Sequence, residues 1–280
     1  MVIDEAGMVG SRQLERVLSE AKRQGTKVVL VGDAEQLQPI EAGAAFRAIA
    51  ERVGYQALTA IRRQRESWQR DASRHFARGE PARALDRYRA HGAIEFAATR
   101  SDAKQRLIQD WTRHLAAEPD GSRLILAHTR ADVRDLNYRA RQILQERGGL
   151  GNDVAVAVSR EVMQSDGTVA IERSERILAR GDRVMVLKNN RELAVKNGSL
   201  ATVIEVTTSA IAVRLDGKEN REVEFRLADY SALDYGYAAT IHKAQGATVE
   251  RISACTRWRS SRRKPDGGPF QASRARTPRS

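Results

Sequence analysis

Val2-Ile3-Asp4-Glu5-Ala6-Gly7 and, further along, Lys27-Val28-Val29-Leu30-Val31-Gly32-Asp33 are two short apolar runs that each end in a carboxylate. Between them Ser11 stands where a helix can be capped, Leu14, Val17, Leu18 and Ala21 recur on one helical face, and Gly25 marks the end. A strand, a crossover helix and a continuous apolar strand within about 30 residues make the βαβ unit of a parallel sheet covered on both faces. Residues 1–40 therefore read as an α/β layer, and acids at its strand ends lie where open α/β sheets bind ligands. The leading apolar run, Met1-Val2-Ile3, is shorter than the usual strand of about five or six residues, which predicts an exposed or frayed sheet edge.

Outward from this unit the chain stays globular for most of its length. Of its 280 residues 41% are hydrophobic, enough to fill the core of one large or two ordinary domains. Residues 66–89 are charged and helical in pattern, interrupted at Gly79-Glu80-Pro81, where Pro suits a first helical turn; they read as a helical connector. A second α/β block follows. It has a helix bearing Ala103, Leu107, Ile108, Trp111 and Leu115, a strand at Leu124-Ile125-Leu126-Ala127, and a helix bearing Val133, Leu136, Ala140, Ile143 and Leu144. From Gly181 to Arg226 the period changes to two, with runs at Arg183–Leu187, Ala201–Val206, Ile211–Leu215 and Glu222–Phe225 separated by Asn189-Asn190, Asn197-Gly198 and Asp216-Gly217. That pattern predicts a small, barrel-like β insert.

A net charge of +12 points to an anionic partner such as nucleic acid, and its placement matters more than its sum. Residues 251–280 hold eight Arg and Lys264 against Asp266 alone, so the tail carries +8 and residues 1–250 only +4. With five Ser, three Pro, two Gly and no apolar period, this tail is expected to be disordered. The single cysteine, Cys255, forms no intrachain disulfide and fits a reducing compartment. No apolar run approaches the roughly 18 residues that cross a bilayer, and the N-terminus lacks a signal-peptide pattern, so a cytoplasmic protein is expected.

Two carboxylates at a strand end suit a metal-nucleotide: Asp4 would help hold Mg²⁺, usually through its waters, and Glu5 would polarise the attacking water. Taken alone the pair could simply begin a loop. The second strand end, Gly32-Asp33-Ala34-Glu35-Gln36-Leu37-Gln38-Pro39-Ile40, decides between these readings. An Asp-Glu strand end, then a helix, then G-D-x-x-Q-L-x-P-I resembles motifs II and III of superfamily 1 helicases. The resemblance implies an ATP site that includes Asp33, with Gln36 contacting the γ-phosphate and coupling its state to the DNA-binding face. Leu58-Thr59-Ala60-Ile61-Arg62-Arg63-Gln64 is similar to motif IV, in which one arginine reaches the γ-phosphate from between two motor domains. Arg63 aligns with it and Arg62 is the alternative; a guanidinium suits the task because it stays charged and forks onto phosphate oxygens. Tyr237-Ala238-Ala239-Thr240-Ile241-His242-Lys243-Ala244-Gln245-Gly246 resembles motif V. That implies Thr240, His242 and Lys243 along the phosphates of single-stranded DNA and Gly246 close to the nucleotide. Where the family carries an acid two residues after that glycine, this chain has Thr248, with Glu250 two further on.

Gly181-Asp182-Arg183-Val184-Met185 through Lys196-Asn197-Gly198 looks like the SH3-like insert of the RecD-related branch, which guides the strand. Residues 1–250 as a whole resemble the helicase part of TraA-type conjugative relaxases, above all over residues 4–14 and 238–249. The implied fold is α/β, with P-loop NTPase (RecA-like) motor domains built on parallel sheets. Residues 1–92 would be the C-terminal part of the first motor domain plus the connector, and 93–180 with 227–250 the second motor domain. Residues 181–226 would form the SH3-like barrel insert and 251–280 the disordered basic tail.

A Gly-Lys-Ser/Thr loop, whose backbone N–H groups and lysine cradle phosphates, does not occur in the sequence; the one Gly-Lys pair, Gly217-Lys218, is followed by Glu219. Charged hydrogen bonds contribute roughly 1.5–3 kcal/mol each, so lacking three costs at least about 5 kcal/mol, more than a thousandfold in affinity. From Arg251-Ile252-Ser253-Ala254-Cys255 onward nothing matches motif VI, and the composition resembles a GC-rich gene translated in a shifted frame. The expectation is a piece, cut at both ends, of an ATP-dependent DNA helicase of conjugative transfer, inactive by itself. Its cofactors would be ATP and Mg²⁺, and its partners single-stranded DNA and the absent N-terminal motor or relaxase region. Three readings compete with it: a non-enzymatic DNA-binding or regulatory remnant, a RecD-like DNA-repair helicase fragment, and a partner that completes a motor encoded separately.

Overall fold

The computed structural model describes residues 1–33, 44–58, 61, 64, 66–119, 121–164, 168–217, 221–244, 247, 249–257 and 270–276. The chain divides into two compact units, Met1–Pro81 and Ala82–Ser280.

In the first unit β1 (Val2–Ile3) and β2 (Val29–Leu30) pair in parallel, Val2 opposite Val29 and Ile3 opposite Leu30, across α1 (Ser11–Arg23). Leu14 and Ala21 fill the buried face of α1, and the helix ends as its sequence directs. Gly25 takes φ 62°, while the N–H groups of Gly25 and Thr26 donate to the carbonyls of Lys22 and Ala21, a closure that needs a residue free to adopt left-handed backbone. Ser11 is the first helical residue and not its cap; Gly10 holds the cap position without a side-chain bond. The short sheet leaves apolar side chains open, with Val2 68% and Val29 44% exposed. Next come α2 (Ala45–Val53), which buries none of its residues, and α3 (Ser67–Ala77), which buries Gln69 and Ala72.

The second unit begins inside α4 (Pro81–Ala90), a helix that Pro81 leads as the sequence suggested. β3 (Ile94–Ala97), α5 (Arg100–Ala117), β4 (Arg123–Ala127) and α6 (Arg130–Glu146) follow. Both long helices start on a threonine cap. Thr99 Oγ1 accepts from the Asp102 N–H at 3.1 Å while the Thr99 N–H donates to Asp102, and Thr129 Oγ1 accepts from the Asp132 N–H at 3.1 Å. Then come β5 (Val154–Met163), β6 (Val169–Leu178), β7 (Arg183–Val186), β8 (Leu200–Val206), β9 (Ala210–Leu215), β10 (Glu222–Arg226), β11 (Leu233–Tyr235), β12 (Ala238–Thr240), β13 (Arg251–Arg257) and β14 (Phe270–Arg276).

Five of these strands form one sheet in the order β12-β4-β13-β14-β3, in which β12 and β13 run parallel to β4 and β14 antiparallel to both its neighbours. Its core is the predicted helix faces, Leu107, Ile108 and Trp111 of α5 and Leu136 and Ala140 of α6, packed on Ile125, Ala127, Tyr237 and Cys255. The outer strand β12 is closed off by a side chain: the Ala238 N–H donates to Asn137 Oδ1 at 2.8 Å, and Asn137 Nδ2 donates back to the Ala238 carbonyl at 3.2 Å.

The period-two region is antiparallel, in the order β10-β9-β8-β7-β11, around Val184, Val186, Ala201, Val203, Ile211, Val213 and Phe225. Its boundaries differ from those expected. β5 and β6 pair along ten residues each as an antiparallel ribbon, Val156, Val158 and Leu178 join the same core, and β11 closes its far side, so the β module runs from residue 154 to 235 and not from 181 to 226. The tail also differs from expectation. Arg251–Arg257 forms the strand beside β4, burying Ser253 and Cys255, and Phe270–Arg276 pairs between β13 and β3. A strand inside a sheet has neighbours on both sides and gains order from its ladder, whatever its composition. Among the described residues no helix is long and apolar enough to cross a membrane.

Candidate nucleotide and nucleic-acid sites

Asp4 and Glu5 sit where β1 stops, and the turn there is unusual. Glu5 takes φ 52°, left-handed backbone that non-glycine residues adopt at a cost, and its carbonyl accepts from the Met8 N–H at 2.9 Å in the tight turn Ala6–Met8. Asp4 Oδ1 accepts from the Glu5 N–H at 2.9 Å, and both side chains face solvent. The neighbouring strand end comes against this turn backbone to backbone. The Ala6 N–H donates to the Val31 carbonyl at 2.9 Å; a Cβ on Gly32 would lie 2.9 Å from the Gly7 nitrogen, and one on Gly7 would lie 2.8 Å from the Asp33 carbonyl oxygen. Two glycines thus let the strand ends carrying Asp4-Glu5 and Asp33 adjoin at one sheet edge. Carboxylate oxygens are the hard donors that Mg²⁺ takes, but among the described residues no three acidic, His or Cys side chains converge closely enough to hold an ion by themselves, so Asp4 fits only a water-mediated contact to an ion held mainly by the nucleotide. Gln36, Arg62 and Arg63 lie outside the described residues.

In the second unit Thr240 ends β12 opposite Ala127, the last residue of β4, so the segments 128–130 and 241–243 leave adjoining strand ends on the same edge. Thr240 Oγ1 accepts from the Lys243 N–H at 3.3 Å, and the Thr240 carbonyl accepts from the Ala244 N–H at 3.0 Å, folding the segment into a turn with Ile241, His242 and Lys243 exposed. Lys243 is exposed as a residue, while protein around its ammonium partly excludes water. Desolvation holds its pKa below the ordinary lysine value; Asp234 opposes this shift, and the cations Arg130 and Arg160 add to it.

Arg130 and Arg160 were not singled out in the sequence. Arg130 opens α6 directly after the β4 strand end, a position that could have flagged it, whereas Arg160 comes from the unrecognised ribbon. The local carboxylates are engaged: Asp234 accepts from Arg176 Nε at 2.9 Å, and Glu172 takes Arg160 at 2.6 Å. Glu250 is elsewhere, at the opposite edge of the sheet, where it accepts from the Ser122 N–H and donates its own N–H to Ser122 Oγ, both at 3.0 Å. Gln245, Gly246 and Thr248 lie outside the described residues.

Known proteins resemble this chain along most of its length. Residues 1–99 match the family model described as an AAA domain. The probable conjugal transfer protein TraA of Sinorhizobium fredii is 46% identical over 254 residues, 90% of this chain and 22% of that protein. The ATP-dependent RecD2 DNA helicase of Deinococcus radiodurans is 28% identical over 250 residues, 88% of this chain and 31% of that protein. The chain thus spans about a fifth to a third of these relatives. Among solved structures, the Pif1 helicase from Bacteroides in complex with ADP-AlF3 and ssDNA superposes with a TM-score of 0.56 at 19% identity, over 90% of this chain and 63% of that one, a likeness of fold. The chain is a superfamily 1 helicase region of the RecD-like branch, related to the conjugal transfer protein TraA.

Proposed function

We propose that the chain supplies the responding half of an ATP-driven DNA translocase that works in conjugative transfer in the cytoplasm. Asp4 would hold Mg²⁺ through its waters beside Asp33, Glu5 would orient and deprotonate the attacking water, and Gln36, Arg63 and Gly246 would meet the nucleotide. Thr240, His242 and Lys243, joined by Arg130 and Arg160, would take the phosphates of single-stranded DNA, with the β module, read as SH3-like, guiding the strand. The observation that carries this reading is the glycine-mediated junction of the Asp4-Glu5 and Gly32-Asp33 strand ends, because two acids at adjoining ends of parallel strands are where a metal-nucleotide is met in α/β sheets. A bound nucleotide supplies the phosphoryl group; the side chains position it and stabilise charge, which is most of what phosphoryl transfer needs.

The 280 residues contain no Gly-Lys-Ser/Thr loop, so the chain alone is proposed not to turn over ATP and to act joined to a polypeptide that carries one. The test compares DNA-stimulated ATP hydrolysis by this chain and by the chain extended through such a loop and a motif VI, each with and without Glu5→Gln. Hydrolysis in the extended protein alone, abolished by the substitution, is the expected result. Equal rates in both, each lost with Glu5→Gln, would overturn the need for the loop.

A further inference from the structure

Asp182 is a carboxylate with 0% of its surface exposed, and three separate parts of the second unit converge on it. The Ala179 N–H donates to it at 2.7 Å, the Tyr237 hydroxyl at 2.6 Å, and Arg141 Nε to both oxygens at 3.1 Å. Burial pushes its pKa up, against the pull of Tyr237 and Arg141, and pushes the Tyr237 phenol up as well. A buried ion pair contributes little net stability over an apolar pair of the same shape, but it enforces one geometry, since removing either partner strands the other.

That geometry links α6, the β module and the segment that leads to Thr240. Arg141, in the middle of α6, also donates through Nη2 to Asp153 at 2.5 Å, so one guanidinium holds the residue before β5 and the carboxylate just after β6. Tyr237 immediately precedes β12, and its carbonyl accepts from the Ile125 N–H of β4 at 2.9 Å. The preceding Gly236 donates its N–H to the Arg183 carbonyl at 2.8 Å and lies so near β7 that a Cβ there would be 2.6 Å from the Val184 carbonyl carbon. Three residues past Tyr237 the chain reaches Thr240, and the module returns to this turn: a Cβ on Gly198 would stand 3.5 Å from the Lys243 carbonyl oxygen. Met185 and Leu200 of the module pack with Leu124 and Ala239 between these two attachments.

We infer that Asp182, through Tyr237 and Arg141, is a positioning residue that sets the Thr240–Lys243 turn against the β module, so that turn and module present one continuous surface to a phosphodiester strand. The strand-binding part of this inference rests on the function proposed above; the mechanical part does not. Tyr237→Phe removes the hydroxyl and keeps the ring, and Asp182→Asn keeps the shape and one acceptor but not the charge. The decisive measurement is amide hydrogen exchange. In both variants the Lys243 and Ala244 amides should exchange at least tenfold faster while the module amides of Val203 and Val213 keep the parent's protection, a pattern that general destabilisation would not produce.

Anisotropy with labelled oligo-dT gives the second readout, an expected loss of about tenfold in affinity for each variant at a temperature where both remain folded. Unchanged exchange at Lys243 and Ala244 in both variants overturns the inference. Faster exchange with no oligo-dT binding even in the parent upholds the joint and refutes the strand reading. Faster exchange with parental affinity upholds the joint and removes its role in binding.

Discussion

Asn137→Ala should cost the second unit about 2–6 kcal/mol, and the figure follows from one pair of hydrogen bonds. β12 is an outer strand, so the outward N–H and C=O of Ala238 have no strand to pair with; the buried Asn137 amide takes both, at 2.8 and 3.2 Å. Alanine leaves two buried backbone groups unsatisfied, each costing about 1–3 kcal/mol. With a urea slope near 3 kcal/mol/M, the unfolding midpoint should fall by about 0.7–2 M. Far-UV circular dichroism and tryptophan fluorescence, to which the buried Trp111 contributes, would follow the transition. Asn137→Asp keeps an acceptor for the Ala238 N–H, loses the donor and buries a charge. It should therefore be worse at neutral pH and partly recover in acid, where protonation returns a donor. A midpoint shift below about 0.2 M for Asn137→Ala would refute the reasoning, because it would mean that the edge groups find partners without the amide.

Other outcomes are as specific. Gly32→Ala puts a Cβ 2.9 Å from the Gly7 nitrogen and should destabilise the first unit by about 1–3 kcal/mol through overpacking, with faster exchange of the Ala6 amide; an unchanged Ala6 amide would count against the junction. Because Lys243 has a lowered pKa, its charge is lost as pH rises before that of an ordinary lysine, so oligo-dT affinity should fall with rising pH in the native chain and persist in Lys243→Arg; identical pH profiles would exclude Lys243 from the site. The same shift has the opposite sign for folding: between the lowered folded pKa and the unfolded value near 10.4 the unfolded chain binds more protons, so this residue's contribution to stability rises with pH. Arg130→Met should flatten the salt dependence of oligo-dT binding by about 0.7 in log-log slope if it meets one phosphate, and an unaltered slope would remove it from the strand's path. Deleting residues 251–280 should unfold the second sheet, since β13 lies between β4 and β14; retained ellipticity and cooperative melting would argue that the strand is dispensable.

What the sequence made legible was whatever repeats locally. The helix faces Leu107–Trp111 and Leu136–Ala140 are buried as their spacing demanded, and the two-strand unit at the start carries its acids at adjoining ends. The ribbon was less legible, although Val154-Ala155-Val156-Ala157-Val158 alternates. Small and apolar residues fill both phases of that alternation, and only pairing with β6 reveals that Val156 and Val158 face inward while Ala155 and Ala157 stay open. The strand Arg251–Arg257 was hidden for another reason: arginine at both ends gives it a tail-like composition, and its order comes from β4, more than a hundred residues earlier. Arg160 beside Lys243 is a third case, a proximity created by tertiary packing between residues on the ribbon and at the sheet edge, with no trace in local spacing.

The ribbon of β5 and β6 has ten residues in each strand, and Arg141 grips it at its root, through Asp153 on one side and Asp182 on the other. Ser159 anchors it again further out, its N–H donating to the Ser231 carbonyl at 2.8 Å, so at about 3.4 Å per residue the paired end at Met163 and Val169 stands roughly 14 Å beyond that anchor. A rotation of about 10° at Ser159 carries that end by about 2 Å, half the spacing between neighbouring strands. The Arg141 grip, the core contacts of Val156, Val158 and Leu178 and the Ser159–Ser231 bonds together therefore decide where the free end of the ribbon points.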